Sequence, residues 1–82
     1  MEKPGQEIYE RIEHIYRTSK DVLLHTAYIF VRDRETAHDI VAEAFMALIE
    51  HRNEIDPDKF YPYLYSVVQN RAIDHRRADI RH

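Results

Sequence analysis

Phe60, Leu64, Val68 and Ala72 recur every fourth residue within the stretch from Phe60 to Arg77. No other feature constrains the fold as much. At ~3.6 residues per turn, this repeat puts all four on one side of a helix, with Tyr61 and Val67 beside them. A helix carrying that row needs other elements to cover it. The opposite side carries Tyr63, Ser66, Asn70, Asp74 and Arg77 at spacings of three or four. Ring, hydroxyl, amide and guanidinium are the groups that stack on bases, bond base edges and pair with phosphate. An ordinary amphipathic helix with polar residues on its wet side has the same outline. The stripe alone does not choose between the two.

The rest of the chain also reads as helix. One Gly and three Pro in 82 residues are too few for a many-turned β sandwich. Ile8, Ile12, Ile15 and Tyr16 mark one face of a first helix, about Gln6 to Arg17, after a frayed segment from Met1 to Gln6. Thr18 to Asp21 resembles a capping box and starts a second helix, with Leu23, Ala27, Phe30 and Val31 facing inward. The joint between these two helices is either a break or a kink. Asp33 is a good N-cap for a third helix, and Glu35 suits the positive end of its dipole. There Ala37, Ile40, Val41, Ala44, Phe45, Leu48 and Ile49 alternate steps of three and four. Asn53 to Pro57 reads as a loop. A fourth helix begins between Asp58 and Tyr61, with Pro62 tolerated in its first turn, and runs to about Ala78. The expected fold is all-α, a compact bundle of about four helices.

Composition excludes several functions. No Cys means no disulfide framework and no Cys-based zinc site, which agrees with a reducing, cytoplasmic setting. No apolar run approaches the ~18–20 residues of a membrane span. One glycine cannot build a phosphate cradle. There is no Cys nucleophile and no convincing Ser–His–acid set, so an enzyme is not expected. Glu35 and His38 have the E-x-x-H spacing of di-iron bundles, but the motif occurs once and such sites need two. His14, His25 and His51 sit singly and read as surface histidines. No cofactor is expected.

The net charge of −3 argues against an indiscriminate nucleic-acid binder. Its distribution is uneven. Residues 33–54 hold six acids against Arg34 and Arg52, a balance of −4. Residues 71–82 hold four arginines against Asp74 and Asp79, a balance of +2. Two partners of opposite sign, or ordinary solvation of a small helical protein, account for this equally.

From Ile15 to Arg77 the chain resembles region 2 of a bacterial sigma factor of the extracytoplasmic-function (ECF) group. Such chains read D-x-x-x-A-x-D-L-V-Q-E-x-F, then F-x-x-W-L-x-x-I-A-x-N-x-A-x-D. Asp33, Ala37, Asp39, Val41, Glu43 and Phe45 match the first string, and Phe60, Leu64, Asn70, Ala72 and Asp74 match the second. Ala42 stands where Gln is usual, and Tyr63 where Trp is usual.

The resemblance implies a helical domain over residues 7–78, with a linker starting at 79–82. It also implies that the third helix docks on the clamp helices of the β′ subunit of core RNA polymerase. That assigns polymerase binding to Asp39, Ala42, Glu43, Met46, Ala47 and Glu50. Ala42 lacks the amide usual at its position, which weakens or shifts that contact. The fourth helix and the loop before it would read the −10 promoter element as melted, non-template strand. That assigns DNA contacts to Asn53, Lys59, Tyr63, Ser66, Asn70, Arg71, Asp74, Arg76 and Arg77. Asp74 would accept from a base amino group or hold a neighbouring arginine, and Tyr63 would be core or stacking platform. An anti-sigma factor is a further implied partner. The family's second helical domain, which reads the −35 element, has no room in 82 residues. A domain fragment or an unusually short natural protein is therefore expected. The alternative is a helical interaction module, or a sigma-like decoy that reads no DNA. Metal analysis of the purified protein is expected to return near-zero occupancy; stoichiometric metal would restore the di-iron reading.

Overall fold

The computed structural model describes residues 4–81, with side chains for residues 6–78. It has three helices: α1 (Pro4–Val31), α2 (Arg34–Glu50) and α3 (Phe60–Arg81), with a 3-10 turn over Pro57–Lys59 leading into α3. Each helix packs against the other two.

The four helices expected from the sequence are three, because the first two are one. Over its 28 residues, α1 runs about 42 Å at ~1.5 Å per residue. The expected capping box at Thr18 is not used. Thr18 Oγ1 instead donates to the His14 carbonyl at 2.9 Å, one turn back in the same helix. No Gly or Pro interrupts residues 6–31. The inward row Ile8, Ile12, Ile15, Leu23 and Ala27 is continuous once half-buried Ser19 is counted in it. A hydroxyl on the apolar row hid the continuity.

The ends also differ from expectation. Helix α1 begins at Pro4, ahead of Gln6, and proline suits a first helical position. Residues 1–3 of the expected frayed segment lie outside the described residues. Helix α3 passes its expected end at Ala78 and continues to Arg81. Residues 79–81 of the expected linker are therefore helical, and residue 82 lies outside the described residues.

Two residues make the corner between α1 and α2. Arg32 takes the left-handed conformation at φ 57, and its N–H donates to the Tyr28 carbonyl at 2.9 Å. Asp33 is the N-cap, as its position predicts. Its carboxylate accepts from the Thr36 amide at 3.2 Å and from the Thr36 hydroxyl. At the far end of α2, Arg52 Nη1 donates to the Ile49 carbonyl at 2.7 Å. Asp56 caps the 3-10 turn by accepting from Asp58 N–H at 3.0 Å. Pro62 is the third residue of α3, where the amide it lacks has no helical partner.

The core is apolar throughout, with no buried polar or charged residue among the described ones. Phe60, Leu64, Val68 and Ala72 are each fully buried, with Leu23 and Ala27 of α1 and Ala44 and Leu48 of α2. Three residues expected on inward faces are exposed: Tyr16 at 45%, Ile49 at 38% and Tyr61 at 39%. Ile49 and Tyr16 line an open groove between α1 and α2, and the Tyr16 ring meets Phe45 edge-on at 5.2 Å. Tyr61 lies beside Tyr65 on the outside of α3, with ring centroids 6.4 Å apart.

Three outcomes follow for stability. Leu64→Ala should cost about 2–5 kcal/mol by urea denaturation, since it opens a cavity in a thin core. Arg32→Gly should raise stability by about 1 kcal/mol, because glycine takes the left-handed conformation without the Cβ clash. The Thr36 hydroxyl and amide hold the Asp33 carboxyl below its usual range. A depressed value means that the cap acts fully above the unfolded value of about 3.9 and fades as pH falls through the folded value. Asp33→Asn should keep the cap and flatten the stability profile across that acid interval.

Candidate polymerase and nucleic-acid interfaces

The residues assigned to polymerase binding form one stripe along α2, because 39, 42, 43, 46, 47 and 50 are spaced by three and four. Asp39, Ala42, Glu43, Met46 and Glu50 are exposed and Ala47 is half-buried. Met46, 60% exposed, puts an apolar side chain in the middle of an acidic face. A basic surface with apolar side chains between its charges would match that pattern.

The residues assigned to DNA lie mostly on the open side of α3. Ser66, Asn70, Asp74, Arg76 and Arg77 are exposed. Asn53 is exposed in the loop after α2, and Lys59 at the end of the 3-10 turn. Tyr63 departs from the stripe. It is half-buried and packs against the core, which is the core role of the two left open for it. Arg76 and Arg77 flank a shallow apolar groove with Phe30 and Ile73.

The two faces meet at one ion pair. Arg71 Nη1 donates to Glu43 Oε2 at 2.9 Å, and both side chains are about half exposed. Glu43 belongs to the polymerase stripe and Arg71 to the residues expected at DNA; the fold brings them together across 28 residues. Asp39, Asp74, Thr36 and His75 line the same groove. Arg71 therefore sits among three carboxylates, and Asp74 stands on the α2 side of α3. One Arg71 N–H group is committed and the rest of the guanidinium fork stays available. A second, exposed ion pair links Arg11 of α1 to Asp58 of the 3-10 turn at 3.4 Å. No sequence spacing announces either pair, since each joins separate elements.

Among the described residues, no three His, Cys, Asp or Glu side chains group to hold a metal. No helix among them is long and apolar enough to cross a membrane.

Residues 15–81 match the family model described as Sigma-70 region 2. That covers most of the chain, and the protein belongs to this family. Membership implies the role of an RNA polymerase sigma factor, a partner of core RNA polymerase and of promoter DNA. No curated protein and no solved structure matches the chain.

The Glu43–Arg71 pair is open to solvent, so its coupling energy should be small. A double-mutant cycle with Glu43→Gln and Arg71→Gln should return about 1 kcal/mol or less in urea denaturation. A value above about 2 kcal/mol would make the pair a main tie between α2 and α3.

Proposed function

We propose that the chain is the region 2 domain of an ECF-type sigma factor. It docks through the outer face of α2 on the β′ clamp helices and takes the −10 element as non-template single strand on α3 and the loop before it. The observation that carries this reading is the pair of solvent-facing stripes on adjacent helices. One is acidic with an apolar centre (Asp39, Glu43, Met46, Glu50). The other is amide- and arginine-bearing (Ser66, Asn70, Arg76, Arg77). The acidic stripe suits a basic protein surface, where opposite potentials speed encounter and fix register. Asn70 would contact a base edge, and the arginines with Lys59 would pair with backbone phosphates. Asn53 to Lys59 shape the side of a site for an extruded base, whose unstacking must be offset by stacking and edge bonds. No catalytic group or cofactor is needed. The domain works in the cytoplasm with the polymerase, where an anti-sigma factor competes for the same faces.

A second reading, a sigma-like decoy that occupies the clamp and reads no DNA, draws support from one feature. Arg71 is already held by Glu43 among carboxylates.

Binding to core polymerase or to an isolated clamp-helix fragment tests the first step. The parent should bind, and Asp39→Arg and Glu43→Arg should each lose at least about tenfold in affinity with helicity unchanged. Equal binding by the reversed variants would end the docking assignment. Strand binding by the polymerase-bound domain should weaken as salt rises, with a slope of about −0.7 per neutralised phosphate. A flat salt profile favours the decoy.

A further inference from the structure

At the corner where α1 gives way to α2, a cavity of about 420 Å³ opens to solvent. Its floor is apolar, from half-buried Leu24 and buried Ala37. Its rim carries His25 and Tyr28 from α1, and Arg34 and His38 from α2. His25 and Tyr28 are three apart and Arg34 and His38 four apart, so each pair shares one helix face. The two-residue corner at Arg32 and Asp33 folds those faces together. No carboxylate lines the cavity.

All four rim side chains are exposed, and none makes a hydrogen bond or ion pair with another described residue. Three other arginines of this acidic chain have a carboxylate partner: Arg11 has Asp58, Arg17 has Glu13, and Arg71 has Glu43. At the corner, a guanidinium, two imidazoles and a phenol instead face one space from rigid helices. All of them can donate hydrogen bonds. The guanidinium fork takes two oxygens of one anion, and phosphate keeps a third oxygen for an imidazole. The flat faces of Tyr28 and the two histidines, above an apolar floor, suit a planar ring.

We propose that this corner binds a phosphate group carried beside a planar ring, that is, a nucleotide unit. The site lies apart from the α3 stripe, and it rests on no part of the docking reading. The same chemistry could come from a free nucleotide or from one unit of a single strand.

The test titrates the whole chain with adenosine monophosphate, inorganic phosphate and a short single-stranded oligonucleotide. Backbone amides of residues 24–38 and the histidine rings are followed by NMR. The nucleotide should shift these signals saturably and bind more tightly than inorganic phosphate. Arg34→Gln should weaken nucleotide binding at least about tenfold, the loss expected for a bidentate charged contact. The double variant His25→Gln, His38→Gln should weaken it by a similar factor, with helicity unchanged in both. Tighter binding of the oligonucleotide at these amides identifies a strand as the source, and tighter binding of the free nucleotide identifies a small molecule; either supports the site. The proposal is overturned if no probe shifts residues 24–38 saturably, if inorganic phosphate binds as well as the nucleotide, or if Arg34→Gln binds like the parent.

Discussion

The row Phe60, Leu64, Val68 and Ala72 is the contact on which the rest depends. All four are fully buried, and they face the other two helices, each of which packs against α3. Fully burying one large apolar side chain stabilises by roughly 1.5–3 kcal/mol, and a domain of this size has few of them. The row does more than hold α3 in place. By turning one side of α3 inward, it turns Ser66, Asn70 and Arg77 outward. Packing and presentation are two results of one periodicity.

The junctions give the surfaces their rigidity. Asp33 and Arg32 set the angle between α1 and α2, the first by capping and the second by accepting a left-handed backbone. Arg52 closes the other end of α2 through the Ile49 carbonyl, and its guanidinium also lies over the Tyr9 ring at 4.9 Å from the centroid. Such local ties satisfy backbone groups that the ends of α2 would otherwise leave unpaired.

The acidic and basic faces are not independent. Glu43 and Arg71 sit at the seam between α2 and α3 and already answer one another. A partner that engages Glu43 competes with Arg71, and a phosphate on Arg71 meets Asp39, Glu43 and Asp74 nearby. The uneven charge along the sequence, acidic through the third expected helix and basic at the end, meets in three dimensions at the Glu43–Arg71 pair, while Arg76 and Arg77 flank the groove beside Phe30.

The sequence by itself determined the class of fold, the family motif, the Asp33 cap, the buried rows of α2 and α3, and the outward polar stripe. Those depend on periodicity and capping, which are local and repeat along the chain. It misled where a local signal was outweighed. Thr18 had the residues of a cap, yet its hydroxyl turned back to His14, because α1 gains more from one unbroken apolar side than from a break. Ile49, Tyr16 and Tyr61 fit inward patterns, yet remain partly exposed where neighbouring helices no longer cover them. Tyr63 fitted the outer stripe and was drawn toward the core. Only the tertiary structure decided the Glu43–Arg71 pair, the Arg11–Asp58 tie and the meeting of His25 with Arg34 and His38. Each joins side chains from different elements. Their distance is set by how helices cross and turn, which no spacing along one helix encodes.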